Sequence, residues 1–265
     1  MTSTTATRTA LRGLWATLRT AFAEAAANRA ALGSQIAVMA INDLVWVVFW
    51  VLFFRRVGTV HGWDGERILM LQAVLTTAGG TALGVFANAR RVGVMAVEGE
   101  LDGVLSLPVP PLAYLLIRRI EPVNLGDIAF GLVLFAVVGE PTFQRTAVFL
   151  GVVAVAVTLL TGFLVLTGSL AFFAGRSETG EMGFHAMLLL GSYPVDMFAG
   201  TAKLVLYSVI PAAFVAAVPA RLVESFDTGQ ALAMAGAAAA FALAGWLAFT
   251  LGLRRYTSGS VWTRA

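Results

Sequence analysis

Cysteine is absent from the 265-residue chain, which excludes disulfides and thiolate metal sites and leaves the redox state of its compartment unmarked. Histidine occurs only as His61 and His185, too few for a histidine-rich metal cluster. Lysine occurs once, as Lys203, between Ala202 and Leu204. A phosphate-binding loop needs G-x-x-x-x-G-K-[ST], so the chain carries no such loop, and ATP could drive it only from another chain. Charge is scarce too, at 12% of residues, against 58% hydrophobic ones. A soluble domain of this size could not bury that much apolar surface, so the composition predicts an all-α polytopic membrane protein. The net charge of +3 does not point to nucleic acid, because the arginines are scattered at the ends of apolar runs.

The chain is expected to divide into residues 1–32, a cytoplasmic tail with an amphipathic interface helix, and residues 33–265, one transmembrane domain. Leu11, Leu14, Trp15, Leu18 and Phe22 form a stripe at helical spacing, with Arg8, Arg12 and Arg19 on another face. Such a helix lies in the membrane interface. Arg12 and Arg19 interrupt any apolar core of a signal peptide before Ala21-Phe22-Ala23, so no cleavage is expected there. Six spans follow, at about 33–54, 68–97, 111–138, 146–174, 182–198 and 231–251. The second is expected to run as one long helix to about Val97. Pro194, Pro211 and Pro219 break the run after Met182, which suits a re-entrant helical pair at about 200–220 between spans five and six. A complete seventh span over 200–218 is the rival. With six spans and both termini inside, twelve of the 18 basic residues fall inside and six outside, the bias expected of a cytoplasmic face. Seven spans would put Arg254 and Arg255 outside.

Between the second and third spans lies a short acidic stretch bounded by prolines, Val97 to Pro111, with Arg90, Arg91, Arg118 and Arg119 around it. Glu98, Leu101, Asp102 and Leu105 fall at i, i+3, i+4 and i+7, one face of a short helix ended by Pro108. A mixed acidic and leucine face at a membrane surface suits docking to a soluble partner, and a solvated turn is the plainer alternative. Glu98-Gly99-Glu100-Leu101-Asp102-Gly103-Val104-Leu105-Ser106-Leu107-Pro108-Val109 resembles the cytoplasmic motif of ABC-2 type permeases, the membrane subunits of type-2 ABC exporters. Weaker echoes are His61-Gly62-Trp63, Ser192-Tyr193-Pro194 through Pro211-Ala212-Ala213, and the terminal Leu251 to Ser258.

The resemblance implies a coupling helix at about 98–108, in which Glu98, Gly99, Leu101, Asp102, Leu105 and Pro108 meet the ATP-binding subunit. It also implies two ATP-binding cassette subunits holding ATP and Mg, a second permease, identical or related, and a place in a bacterial plasma membrane. This chain would then be no enzyme itself and hold no cofactor. Its activity would be export of a small hydrophobic or cationic compound by alternating access.

Candidate pathway residues come from the spans. Asn42 and Asp43 lie near the middle of the first, where a carboxylate is costly unless it faces water or a partner. An arginine from another helix could equally pair with Asp43. Asn124 and Asp127, with Glu121, recur at i, i+3 and i+6 near the start of the third span. They either line an inner vestibule or pair locally with Arg118. Gly80 and Gly84 make a small-xxx-small pair suited to close helix packing. Ser169 and His185 carry no nucleophile motif, so a serine-type dyad is not favoured. Two further classes stand beside export: a secondary transporter or channel working alone, with Asp43 binding protons or ions, and a membrane scaffold with no transport.

Overall fold

The computed structural model describes residues 3–175 and 178–256. Arg176, Arg264 and the Thr257-Ser258 end of the terminal echo lie outside the described residues. The chain forms α1 (Ser3–Ala27), α2 (Arg29–Val57), α3 (Gly65–Gly84), a 3-10 turn (Ala87–Arg91), α4 (Val92–Glu98), α5 (Leu101–Leu105), α6 (Pro111–Ile117) and α7 (Pro122–Val138). It continues through α8 (Phe143–Ser169), α9 (Ala171–Ala174), α10 (Glu178–Gly191), α11 (Gly200–Ser208), α12 (Ala217–Glu224) and α13 (Thr228–Leu253). No β-strand occurs among the described residues. The protein is an all-α polytopic membrane protein. Helices α2 and α13 and the continuous α8–α9 segment are long and apolar enough to cross a bilayer.

Polar caps set the starts of the long helices. The side chains of Asn28, Asp64, Thr142 and Asp227 accept from the backbone N–H three residues on, at the heads of α2, α3, α8 and α13. Asn28 also separates α1 from α2. In α1, Leu11, Trp15 and Phe22 are exposed.

Helix α3 is the centre of the bundle, buried on nearly every side from Ile68 to Gly84, with α2, α7, α8 and α12 around it. The closest approach is to α7. A side chain at Gly80 would meet the Asn124 carbonyl, the Asp127 Cβ and the Ile128 nitrogen at 2.8 Å, so only glycine permits this contact. Helices α8 and α13 pack along most of their length, with Gly162 and Gly245 against each other's backbones.

The expected single helix to Val97 is broken. Helix α3 ends at Gly84, and the chain turns through 67° into the 3-10 turn and α4. Contacts distant in sequence cause the break: Glu121 N–H donates to the Gly84 carbonyl at 2.9 Å. Asn88, fully buried, donates to the Leu115 carbonyl at 2.8 Å. The third apolar run is divided likewise, α6 and α7 meeting at 78°.

Helices α2, α3, α7, α8, α10 and α13 alternate in direction between two ends of the bundle. One end holds α4, α5 and the end of α13. At the other, His61 and Gly62 take positive φ, 49° and 81°, and close a tight turn whose flanking residues, Val60 and Trp63, exchange backbone hydrogen bonds at 2.9 Å. The chain from Ser192 to Glu224 starts and finishes at this second end. Helices α11 and α12 are bent by 63° across Pro211, and each is far shorter than the ~20 residues a crossing needs. The run over 200–218 is not one continuous helix.

Candidate functional site

Helix α7 lies between α2 and α3, and its first two turns set the polar centre of the bundle. Asn124 Nδ2 donates to the Leu83 carbonyl at 3.2 Å. Gly126 lets the α2 backbone approach at Ile36, 3.2 Å from where a Cβ would stand. Asp43 lies seven residues beyond Ile36, two turns along the same face. It therefore points inward, 7% exposed, and Asp127 on α7 is 8% exposed.

Asn42, Asp43, Asn124 and Asp127 line one cavity of about 410 Å³ with Gln72, Thr76, Gly80, Trp46, His185 and Ser192. Among the described residues Asp43 Oδ2 and Asp127 Oδ1 have no hydrogen-bond partner. Among the described residues neither carboxylate is within ion-pair distance of an arginine or lysine. The Arg118 pairing is not made either. Arg118 reaches Glu100 at 3.4 Å, and Glu121 pairs with Arg119 at 3.4 Å. Two buried orphan acceptors on residues that line one cavity suit a ligand bringing positive charge or donors.

Sequence reasoning missed Gln72, Thr76, Trp46, Ser192 and the cavity position of His185. A signal existed for two: Gln72, Thr76 and Gly80 follow at i, i+4 and i+8, a polar and small stripe in an apolar helix.

At the opposite side of the break, α4 leads into the proline-bounded stretch and α5 lies within it. Gly99 separates them in the left-handed conformation, φ 78° and ψ 12°, where a side chain would be strained. That break overturns the single helical face expected of Glu98, Leu101, Asp102 and Leu105. Leu101 is 1% exposed and packed into its own chain, whereas Leu105 at 42% and Leu107 at 38% face outward. Glu98, Asp102 and Pro108 are exposed beside them. The end of α13 buttresses the stretch from behind: the Tyr256 hydroxyl lies beside Asp102, and burial first and the Asp102 carboxylate second push it up to about 12.

A family description, ABC-2 family transporter protein, matches residues 40–260, which hold the cavity, the proline-bounded stretch and the paired short helices. The chain belongs to the ABC-2 family of transporter proteins. No curated protein and no solved structure gives a significant match. Membership agrees with the resemblance carried by Glu98 to Val109. As an ABC-2 transporter protein the chain is a membrane subunit, and its family is one whose members pair with an ATP-binding subunit that carries the ATPase site.

Proposed function

We propose that the chain is the permease of an ATP-driven exporter moving a small amphiphilic cation out of the cell by alternating access. The observation that carries this reading is the pair Asp43 and Asp127, buried beside one cavity with no basic partner among the described residues. A hydrophobic compound with one cationic group would satisfy the orphan oxygens and rest its body on Trp46 and Phe184. Helices α2, α3, α7, α8, α10 and α13 serve as the six spans, with α11 and α12 re-entrant and both termini cytoplasmic. The end bearing Glu98 to Pro108 faces the cytoplasm, in keeping with its arginines.

The power comes from two ATP-binding cassette subunits holding ATP and Mg. They dock on Leu105, Leu107, Glu98 and Asp102, and their closure tilts the spans. A second permease, identical or related, covers the exposed face of α2, where Ile41, Val45 and Val48 stand outward. The plasma membrane of a bacterium is the setting.

The test is accumulation of a fluorescent lipophilic cation by inverted vesicles carrying the permease with an ATP-binding cassette subunit that co-purifies with it. ATP-dependent uptake that fails without the second protein is expected. Uptake driven by a proton gradient with the permease alone would replace this reading with a secondary transporter using Asp43, which the same orphan carboxylates would serve.

A further inference from the structure

A second cavity, of about 320 Å³, lies at the second end of the bundle, where the head of α3, the α7–α8 turn and α12 meet. Trp63, Met70, Ala220 and Val223 give it a buried apolar floor. Three arginines and three glutamates line it as well, so their formal charges cancel. Four of the six are matched in pairs, Arg67 with Glu224 at 2.9 Å and Arg145 with Glu140 at 3.0 Å. The other two, Glu66 and Arg221, are of opposite sign. Glu66, exposed in the first turn of α3, has no ion-pair partner among the described residues. Arg221 commits its terminal nitrogens to Asp196 at 3.2 Å and to the Tyr207 hydroxyl at 3.3 Å. Its Nε is buried and has no acceptor among the described residues.

An orphan donor and an orphan carboxylate on one cavity call for a ligand that answers both. That ligand is a zwitterion, with an anionic oxygen for the arginine and an ammonium for the glutamate. The α7–α8 turn is set to receive it. Glu140 holds a positive φ of 44°, uncommon outside glycine, and Arg145 fixes the turn by donating to the Gly139 carbonyl at 3.2 Å. The cavity also has an apolar way out. Val137 lines it and is exposed, and Val133, one turn earlier on the same face of α7, is exposed too. A soluble zwitterion has no use for such a track, whereas a lipid does. We propose that this cavity holds the headgroup of a phospholipid, its phosphate on Arg221, its primary ammonium on Glu66 and one acyl chain along Val137 and Val133. The leaflet is the one at this end, the outer one in the orientation proposed above, and the site stands whether or not the chain transports cations. Cancelling charge sets the lipid class. An anionic headgroup leaves Glu66 unanswered and meets three carboxylates, and a quaternary ammonium has no N–H to donate. A phosphoethanolamine headgroup answers both orphans.

Native mass spectrometry of the detergent-purified chain reads the site directly. The chain is titrated with phosphatidylethanolamine, phosphatidylcholine and phosphatidylglycerol of identical acyl chains. One phosphatidylethanolamine is expected to bind on the order of tenfold more tightly than either of the others, the shift that one charge-assisted hydrogen bond gives. Glu66→Gln should bring phosphatidylethanolamine down to the affinity of phosphatidylcholine. Glu24→Gln, at an exposed position of α1, should leave the preference intact. Equal affinities for the three lipids in the native chain overturn the proposal, and so does a preference that survives Glu66→Gln. Free phosphoethanolamine should displace the lipid only at far higher concentration, and displacement at the lipid's own concentration overturns the assignment to a membrane lipid in favour of a soluble zwitterion. Should Glu66→Gln fail to fold, a phosphatidylethanolamine with a photoreactive group beside its phosphate decides. Its label is expected within residues 63–70, 137–145 or 220–224, and label found only elsewhere overturns the site.

Discussion

Replacing Asp43 with asparagine separates a binding carboxylate from a structural one, because the two roles predict opposite signs. Asparagine keeps the size and hydrogen bonding of the side chain and removes its charge. Were Asp43 half of a buried ion pair, the change would strand a cation and cost about 3–5 kcal/mol, which is about 6–20 °C of melting midpoint at this size. No basic residue pairs with it among the described residues, and Asp127 shares its cavity. The substitution therefore removes an uncompensated acceptor and a like-charged neighbour, and the midpoint of the purified protein should hold or rise.

Transport moves the other way. A cation about 4 Å from one carboxylate gains about 4 kcal/mol at an effective dielectric near 20, and desolvation of both groups returns part of it. A net loss of about 1.5–3 kcal/mol, the worth of a hydrogen bond to a charged group, raises KM for a cationic compound by about 10- to 150-fold. A neutral compound of similar shape should be moved almost as before. The assay is ATP-driven uptake into inverted vesicles, cation and neutral compound side by side. A fall in melting midpoint with equal loss for both compounds would refute the binding role, as would unchanged uptake of both.

Leu105→Glu should abolish co-purification of the ATP-binding subunit without lowering the permease's melting midpoint, since Leu105 is exposed; Leu101→Glu, at a site 1% exposed, should instead destabilise the permease itself by several kcal/mol. Gly80→Ala should lower the midpoint relative to Gly236→Ala, because a Cβ meets α7 backbone atoms at 2.8 Å in one case and open space in the other. Overpacking of that kind costs about 1–3 kcal/mol, and equal midpoints would contradict the α3–α7 contact. Single cysteines at 60–65 and 141–144 should react with an impermeant thiol reagent from outside, and those at 103–106 should not. Reaction at 103–106 would reverse the orientation.

Much of the fold was legible because the bilayer writes it in simple terms. Apolar run length gives α2, α8 and α13, and Asn28, Asp64, Thr142 and Asp227 mark where helices begin. Pro194 and Pro211 locate the breaks on either side of α11. Less legible was the break after Gly84, since nothing local to residues 85–91 forbids a helix. It is imposed by Glu121 and Leu115, which no window on the second span contains. The assumed face through Leu101 failed for a local reason that could have been read: Gly99 ends the helix between Glu98 and Leu101.

The rotation of α2 was the hardest matter, and it decides what Asp43 does. In a soluble helix the inward face announces itself by contrast with a polar outer one. Here both faces are apolar: Trp50 and Phe54 are buried, while Ile41, Val45, Phe49 and Leu52 are exposed. Hydropathy cannot then tell which side meets protein. The answer sits in another helix. Gly126 of α7 admits the α2 backbone at Ile36, and helical spacing carries that contact to Asp43 and on to Trp50, at i+7 and i+14. Asn124 and Asp127 flank Gly126 on the same turn, so the glycine that seats α2 also brings the two carboxylates to one cavity. Gly126→Leu should accordingly do more than destabilise. By forcing α2 away or around, it should expose Asp43 to a different environment, so that Asp43→Asn no longer changes cation uptake in that background. If the two substitutions instead act independently on uptake, the seating of α2 on Gly126 is not what aims Asp43 into the cavity.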